Sequence, residues 1–432
     1  MKRSLKTVGR VAAAAALLAA VACGDDDPEI IAPDLAGSEL FRSYVALGNS
    51  LTAGWQSAGI SDSTQRESYA YLLATAAGLT PGQEWIYPSL VAPGCPHPVA
   101  NFRTLSRGTI PGAATPATGS SCLLRNSALV RSRLNNVAVP LAFAWDLTRS
   151  VTPTSATNPL QTFILGGRTQ LRRALEAQPT FASLWIGNNE AIAPASVGTL
   201  APVAGASPGL IPVDTVSRYI GATVDTLVAA PTLRGGVLIG VVDVRNAPRL
   251  FAGDSLFRNG APSPLKSSID VTTGRTVTVL PNCIGSGVLI SSEIIPLIRS
   301  GSYPPVISCA PVTLPGVPAA ANLGAMFVLN ATEQAALGNV VAGYNAYIRA
   351  KADSVGWAYY DPNNAIDGLP ALRARGLIAA LPNFTNETAP FGPGMSIDGV
   401  HPRRATHVAL ANAVIAVIKA KYPDAAGIGT AQ

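Results

Sequence analysis

The stretch "YVALGNSLTAGW", Tyr44 to Trp55, decides the architecture. Tyr44-Val45-Ala46-Leu47 is an apolar run of strand length, Gly48 permits a sharp turn, and Thr52-Ala53-Gly54 is small enough to pack closely afterwards. In an open parallel sheet, ligands bind beyond the carboxyl ends of the strands. Ser50 stands at such a place, where a reactive side chain is expected.

Working outward, "TFASLWIG" (180–187), "GGVLIGVVDV" (235–244) and "GWAYYD" (356–361) are further short apolar runs, and "NNVAV" (135–139) is a weaker one. Amphipathic helical patterns separate them. Val216, Tyr219, Ile220, Thr223, Val224 and Leu227 share one helical face, and so do Leu337, Val340, Val341, Tyr344 and Ile348. Strands alternating with helices predict an α/β domain with a parallel sheet. No repeat and no central linker divides the chain, so one domain is expected over 43–425. Two regions rich in Pro, Gly, Ser and Thr, 92–133 and 248–325, resist the alternation. They are expected to be ordered insertions, each holding two cysteines that can staple it.

The amino terminus carries Lys2, Arg3, Lys6 and Arg10, no acid, and then the apolar "VAAAAALLAAVA" that ends at Cys23. Residues 1–22 have the make-up of a secretory leader, too short in their apolar part to serve as a permanent membrane span. Removing those four cations leaves 27 basic against 25 acidic side chains, so the overall charge gives no case for nucleic-acid binding. "AAVAC" is similar to a bacterial lipoprotein box, with Ala20 where leucine is usual. Ala20-Val21-Ala22 equally fits ordinary cleavage and a freely secreted chain. Lipidation of Cys23 would leave Cys95, Cys122, Cys283 and Cys309 as an even set able to form two disulfides. Proximity favours Cys95 with Cys122 and Cys283 with Cys309, one of three pairings. Residues 23–42 would then be a lipid-anchor cysteine and flexible tether, placing the protein on the cell envelope, the outer membrane or its periplasmic side favoured.

A second serine competes with Ser50. "RLFAGDSLFRNG" (249–260) contains the string Gly-Asp-Ser-Leu, but Pro248 and Arg249 precede it, "FRNGAPSP" follows it, and it lies inside the second insertion. Ser255 is therefore expected to be a loop serine. A serine hydroxyl needs a base, and the chain has three histidines. His97 is hemmed by prolines in "GCPHPV", and His407 lies within the terminal helical pattern. His401, in "SIDGVHPRR", follows Asp398 by three residues at a helix entrance, where a carboxylate can orient an imidazole.

These residues carry a resemblance to the GDSL, or SGNH, family of serine hydrolases, in particular lipoprotein-like members with a Gly-Asn-Ser first block. "GNSLTAG", "NNVAVPLA", "GNNE" (187–190) and "DGVHP" (398–402) resemble the four family blocks in order, from Tyr44 to about Lys421. The resemblance implies a three-layer α/β/α sandwich, flavodoxin-like, with a central, mostly parallel sheet. It implies Ser50, Asp398 and His401 as a catalytic triad and Ser50, Leu141 and Asn189 as oxyanion-hole donors. Three positions depart from the pattern: Asn49 and Glu190 replace aspartates outside the triad, and Leu141 replaces a glycine, which narrows its backbone freedom and adds bulk beside the site.

The expected activity is ester hydrolysis through an acyl-enzyme, on acyl or lipid esters, by a monomer needing no metal or organic cofactor. Hydrolysis of O-acetyl groups on carbohydrate, or a tethered binding protein that kept the fold without turnover, are the alternatives. "VLISSEIIPLIRSGSYPPVI" (288–307) is apolar enough to flank an acyl site.

Overall fold

The computed structural model describes residues 39–108, 122–149, 159–202 and 208–432. The leader, Cys23, most of the tether and the middle of the first insertion lie outside the described residues. No helix among the described residues is long and apolar enough to cross a membrane.

Strand β1 (Tyr44–Gly48) leads into the short helix α1 (Ser50–Ala53), and α2 (Tyr69–Ala76) follows. After the first insertion come α3 (Gln170–Glu176), β2 (Phe181–Trp185), α4 (Asn188–Val197), α5 (Val213–Val228) and β3 (Gly235–Ile239). The second insertion holds β4 (Leu250–Ala252), β5 (Leu289–Ser291) and α6 (Ile294–Ser300), and is followed by β6 (Val328–Leu329). The chain then closes with α7 (Ala331–Val355), β7 (Ala358–Tyr360) and α8 (Arg404–Lys421).

The central sheet is parallel, in the order β1-β2-β3-β7, and β1, β2 and β3 are buried throughout. Burial on both faces explains why their sequences are continuous apolar runs rather than alternating ones. Residues 135–139 run parallel along the free edge of β1: the Ala46 N–H donates to Asn135, and the Val137 and Val139 N–H groups donate to Ala46 and Gly48. With that segment counted, the order along the sheet is 2-1-3-4-5, the flavodoxin-like arrangement. Helices α3, α5 and α7 pack on one face through Ala174, Val216, Val224, Leu337 and Val341. Helices α2 and α8 pack together on the other side, giving three layers.

The run "GGVLIGVVDV" leaves the sheet earlier than its composition suggests. Strand β3 stops at Ile239, and the side-chain carbonyls of Asn345, Asn188 and Asn363 accept the Val241, Val242 and Asp243 N–H groups. Side-chain amides there take the place of a neighbouring strand.

Strands β4 and β5 of the second insertion and β6 just after it make a small antiparallel sheet, and within the insertion Cys283 is bonded to Cys309. Cys95 is bonded to Cys122 in the first.

Candidate active site

The turn after β1 exists because of Gly48. Its φ is 157°, and a Cβ there would overlap the Thr52 side chain and lie 2.6 Å from the Trp185 carbonyl oxygen. Gln170 grips both backbone groups of Gly48: the N–H donates to Oε1 at 2.9 Å, and Nε2 donates to the carbonyl at 3.0 Å. Asn49 is fully buried and caps α1, its Oδ1 accepting the Leu51 N–H at 3.2 Å. An amide oxygen serves this cap as a carboxylate would, without a buried charge. Ser50 is thereby fixed as the first residue of α1, at the carboxyl end of β1.

His401 reaches Ser50 from the loop before α8. Its Nε2 lies 2.8 Å from Ser50 Oγ, and its Nδ1 lies 2.9 Å from Asp398 Oδ2. Oδ1 of Asp398 accepts from Ser396 Oγ at 2.7 Å and from the Val400 and His401 N–H groups, each at 2.9 Å. Oδ2 also accepts the Ala58 N–H at 3.2 Å. Burial alone would raise the Asp398 carboxyl, but the His401 ring, its hydrogen bonds and the Arg249 charge outweigh burial and hold it far below the usual carboxylate range. An ionised Asp398 can only accept, so Nδ1 carries the proton and Nε2 is left to accept from the Ser50 hydroxyl. The arrangement can deprotonate Ser50.

Ala58 was not among the sequence candidates. It sits with Ser57 at the tip of a tight hairpin, Gln56 pairing with Gly59, and both tip residues have positive φ, 52° and 53°. Such turns favour Asn-Gly. Here Ser-Ala occupies one, and both tip residues touch the loop bearing Asp398, Ser57 Oγ accepting the Ile397 N–H at 3.3 Å.

Asn189 lies in the first turn of α4, after Gly187 in a left-handed conformation. Its Nδ2 donates to the Ala142 carbonyl at 2.8 Å, which fixes the amide and leaves its second N–H proton available. Leu141, one residue earlier in that loop, has a φ of 65°, the region that favours glycine, and the residue is 56% exposed. Among the described residues no protein acceptor takes the Leu141 N–H. Next to Asn189, the buried Glu190 accepts the Ala144 N–H on Oε1, so adjacent residues of α4 hold the same loop at two points. Burial pushes the Glu190 carboxyl up to about 7.

The sheet order and the four sequence blocks, gathered in order at the carboxyl edge of the sheet, decide the architecture. The chain has the three-layer α/β/α, flavodoxin-like fold that the resemblance implies.

The competing serine and the other histidines are elsewhere in the fold. Ser255 lies in a 3-10 turn, Gly253–Leu256, its Oγ donating to the Ala252 carbonyl, with Gly253 packed against the Cys309 sulfur. His97 Nδ1 contacts the Pro93 carbonyl. His407 is fully buried, accepts the Tyr69 N–H on Nδ1 at 3.3 Å, and is pushed down to about 3 by burial and by His401.

Ser50, His401, Asn189 and Leu141 border a cavity of about 450 Å³. Its remaining wall is mostly apolar, with Ile192, Val244, Leu372 and Met395 from the domain and Pro296 and Leu297 from α6 of the second insertion. Apolar walls with a few convergent polar groups are the usual make-up of a small-molecule site.

No family model and no curated protein matches the chain. It is similar to several solved structures. A protein assigned as a GDSL-like lipase from Parabacteroides merdae has 11% identity and a TM-score of 0.35, over 88% of this chain and 96% of that one. An extracellular lipase from Streptomyces rimosus has 14% identity and a TM-score of 0.30, over 88% and 99%. A phospholipase A1 from Streptomyces albidoflavus has 15% and 0.29, over 88% and 98%.

Proposed function

We propose that the protein is a serine ester hydrolase working through an acyl-enzyme on esters with an apolar acyl group. The observation that carries this is the continuous chain Ser50 Oγ, His401 Nε2, His401 Nδ1, Asp398 Oδ2, at 2.8 and 2.9 Å, opening on an apolar cavity. His401 takes the Ser50 proton as Oγ attacks the ester carbonyl carbon. The charge that develops on the carbonyl oxygen is met by the Ser50 and Leu141 N–H groups and the free N–H of Asn189 Nδ2. Collapse breaks the ester C–O bond, and His401 returns the proton to the departing alcohol. Water, deprotonated by the same imidazole, then attacks the acyl-Ser50 carbonyl and releases the acid. Asp398 keeps His401 in the required tautomer and stabilises its cationic form. An acylated Cys23 would tether the enzyme to the cell envelope.

The cavity wall supports acyl chains over acetate, because apolar surface around Pro296 and Leu297 gains from burying methylenes at about 0.8 kcal/mol each. A panel of p-nitrophenyl esters of increasing chain length, beside an acetylated oligosaccharide, tests the assignment. Turnover that rises beyond acetate and vanishes in Ser50→Ala supports it. Release of acetate from the oligosaccharide alone would move the assignment to sugar acetates, and no turnover on any ester would leave a tethered binding protein.

A further inference from the structure

The first residue of the competing stretch, Arg249, belongs to the second insertion, yet its side chain works at the other end of the chain. Nε and Nη2 donate to the Asp398 carbonyl at 3.1 and 2.9 Å. Nη1 donates to Ser196 Oγ, in the last turn of α4, at 3.0 Å. Nη2 also pairs with Glu293 Oε1, just ahead of α6, at 2.7 Å. The Arg249 backbone N–H donates to the Gly399 carbonyl at 3.1 Å, and the Ser292 N–H donates to the Arg249 carbonyl at 2.8 Å. The side chain is only 14% exposed. One residue therefore joins the loop bearing Asp398 and His401, the helix bearing Asn189, and the segment that supplies Pro296 and Leu297 to the cavity.

The two parallel donors to one carbonyl restrict the Asp398-Gly399 peptide in a way that a single contact does not. Gly399 fits beneath Arg249 only because it lacks a side chain: its φ is 67°, and a Cβ would lie 2.9 Å from the Arg249 Cβ. A buried guanidinium is costly to desolvate unless its charge and donors are satisfied, and here they are met by the Asp398 carbonyl, the Ser196 hydroxyl and the Glu293 carboxylate. Lysine has no planar fork to reproduce the paired contact.

We propose that Arg249 is a positioning residue, holding the Asp398-Gly399 peptide so that His401 stays in reach of Ser50. This rests on the hydrolase assignment above for its kinetic part and on geometry alone for the rest. The second insertion is then part of the site's framework as well as a wall of its cavity.

Arg249→Met keeps the aliphatic stem and removes the guanidinium. In the full-length protein, the expected result is a kcat lower by about a hundredfold on a short p-nitrophenyl ester, as small misplacements of catalytic groups cost, with KM changed less than about threefold. Arg249→Lys should recover only part of the loss. An independent readout is the histidine Nδ1 proton signal in spectra of histidine-labelled protein: the signal of the His401–Asp398 bond should be present in wild type and weakened or lost in Arg249→Met. If Arg249→Met does not fold, Arg249→Lys is put through both measurements and should show the same direction of change. A folded variant with kcat within about threefold of wild type and an unchanged Nδ1 signal would overturn the proposal. Absent turnover in wild type together with a signal that depends on Arg249 would instead remove the hydrolase assignment and leave the positioning role standing.

Discussion

Asn189 donates through Nδ2 to the Ala142 carbonyl at 2.8 Å, so the helix after β2 and the loop after the edge segment hold each other in place beside Ser50. The bond spends one of two N–H protons and aims the other. Asn189→Ala removes both, and kcat should fall by about a hundred- to a thousandfold with KM nearly unchanged. Steady-state kinetics on a soluble ester measures it. A rise in KM with kcat preserved would show that Asn189 binds substrate without meeting the developing charge.

Leu141 adopts a φ of 65° with an exposed side chain at the cavity edge. A left-handed leucine costs about 1–2 kcal/mol, and Leu141→Gly relieves this while raising the entropy of the unfolded chain by a comparable amount. Melting temperature should therefore change little. Because the backbone already takes the conformation open to glycine, kcat should stay within about threefold, while KM for long acyl esters rises with the lost apolar contact. A tenfold or greater rise in kcat would mean that the Leu141 N–H faces away from the oxyanion.

Two buried groups give opposite pH dependences. Glu190 rises from an ordinary 4.5 to about 7, so between those values the unfolded chain has released a proton that the fold retains, and stability falls as pH rises, by about 3 kcal/mol in all. His407 drops from 6.5 to about 3, so the unfolded chain gains a proton that the fold refuses, and stability falls as pH drops below 6.5. From 6.5 to 4.5 the two offset each other. The Asp398 contribution is lost only below the ordinary carboxylate value of 3.8. Glu190→Gln removes one side of the balance while keeping an acceptor for the Ala144 N–H. Thermal melts should show this variant gaining on wild type as pH rises from 4.5 to 7 and keeping that gain above 7, while losing stability on acidification from 6.5 to 4.5, where wild type is nearly flat. Parallel curves for the two proteins would contradict the assignment of the titration to Glu190.

Legibility in the sequence followed burial and locality. Strands β1, β2, β3 and β7 could be read because a parallel sheet buries both faces and leaves continuous apolar runs. The inner faces of α5 and α7 could be read because burial repeats with the helical period, at Val216, Ile220 and Val224 and at Leu337, Val341 and Tyr344. Ser50 was marked by the turn its neighbours dictate, and Asp398 and His401 by their spacing. The supports were not legible. Gln170 holds Gly48 across 122 positions, Ala58 reaches Asp398 across 340, and Arg249 reaches it across 149. Each is an ordinary residue whose role comes only from what folding places beside it. The positive φ at Ser57 and Ala58 left no trace either, since Ser-Ala lacks the Asn-Gly signature of such turns.

The central claim is that Ser50, and not the serine in the Gly-Asp-Ser-Leu string, is the nucleophile. Labelling with a fluorophosphonate probe, followed by mass spectrometry of the labelled peptide, tests it most directly on wild type, Ser50→Ala and Ser255→Ala. Ser50 has His401 Nε2 at 2.8 Å, while Ser255 Oγ is engaged by the Ala252 carbonyl. The label should map to the peptide containing Ser50, disappear in Ser50→Ala and persist in Ser255→Ala. A label on Ser255, or labelling that survives Ser50→Ala, would contradict the account.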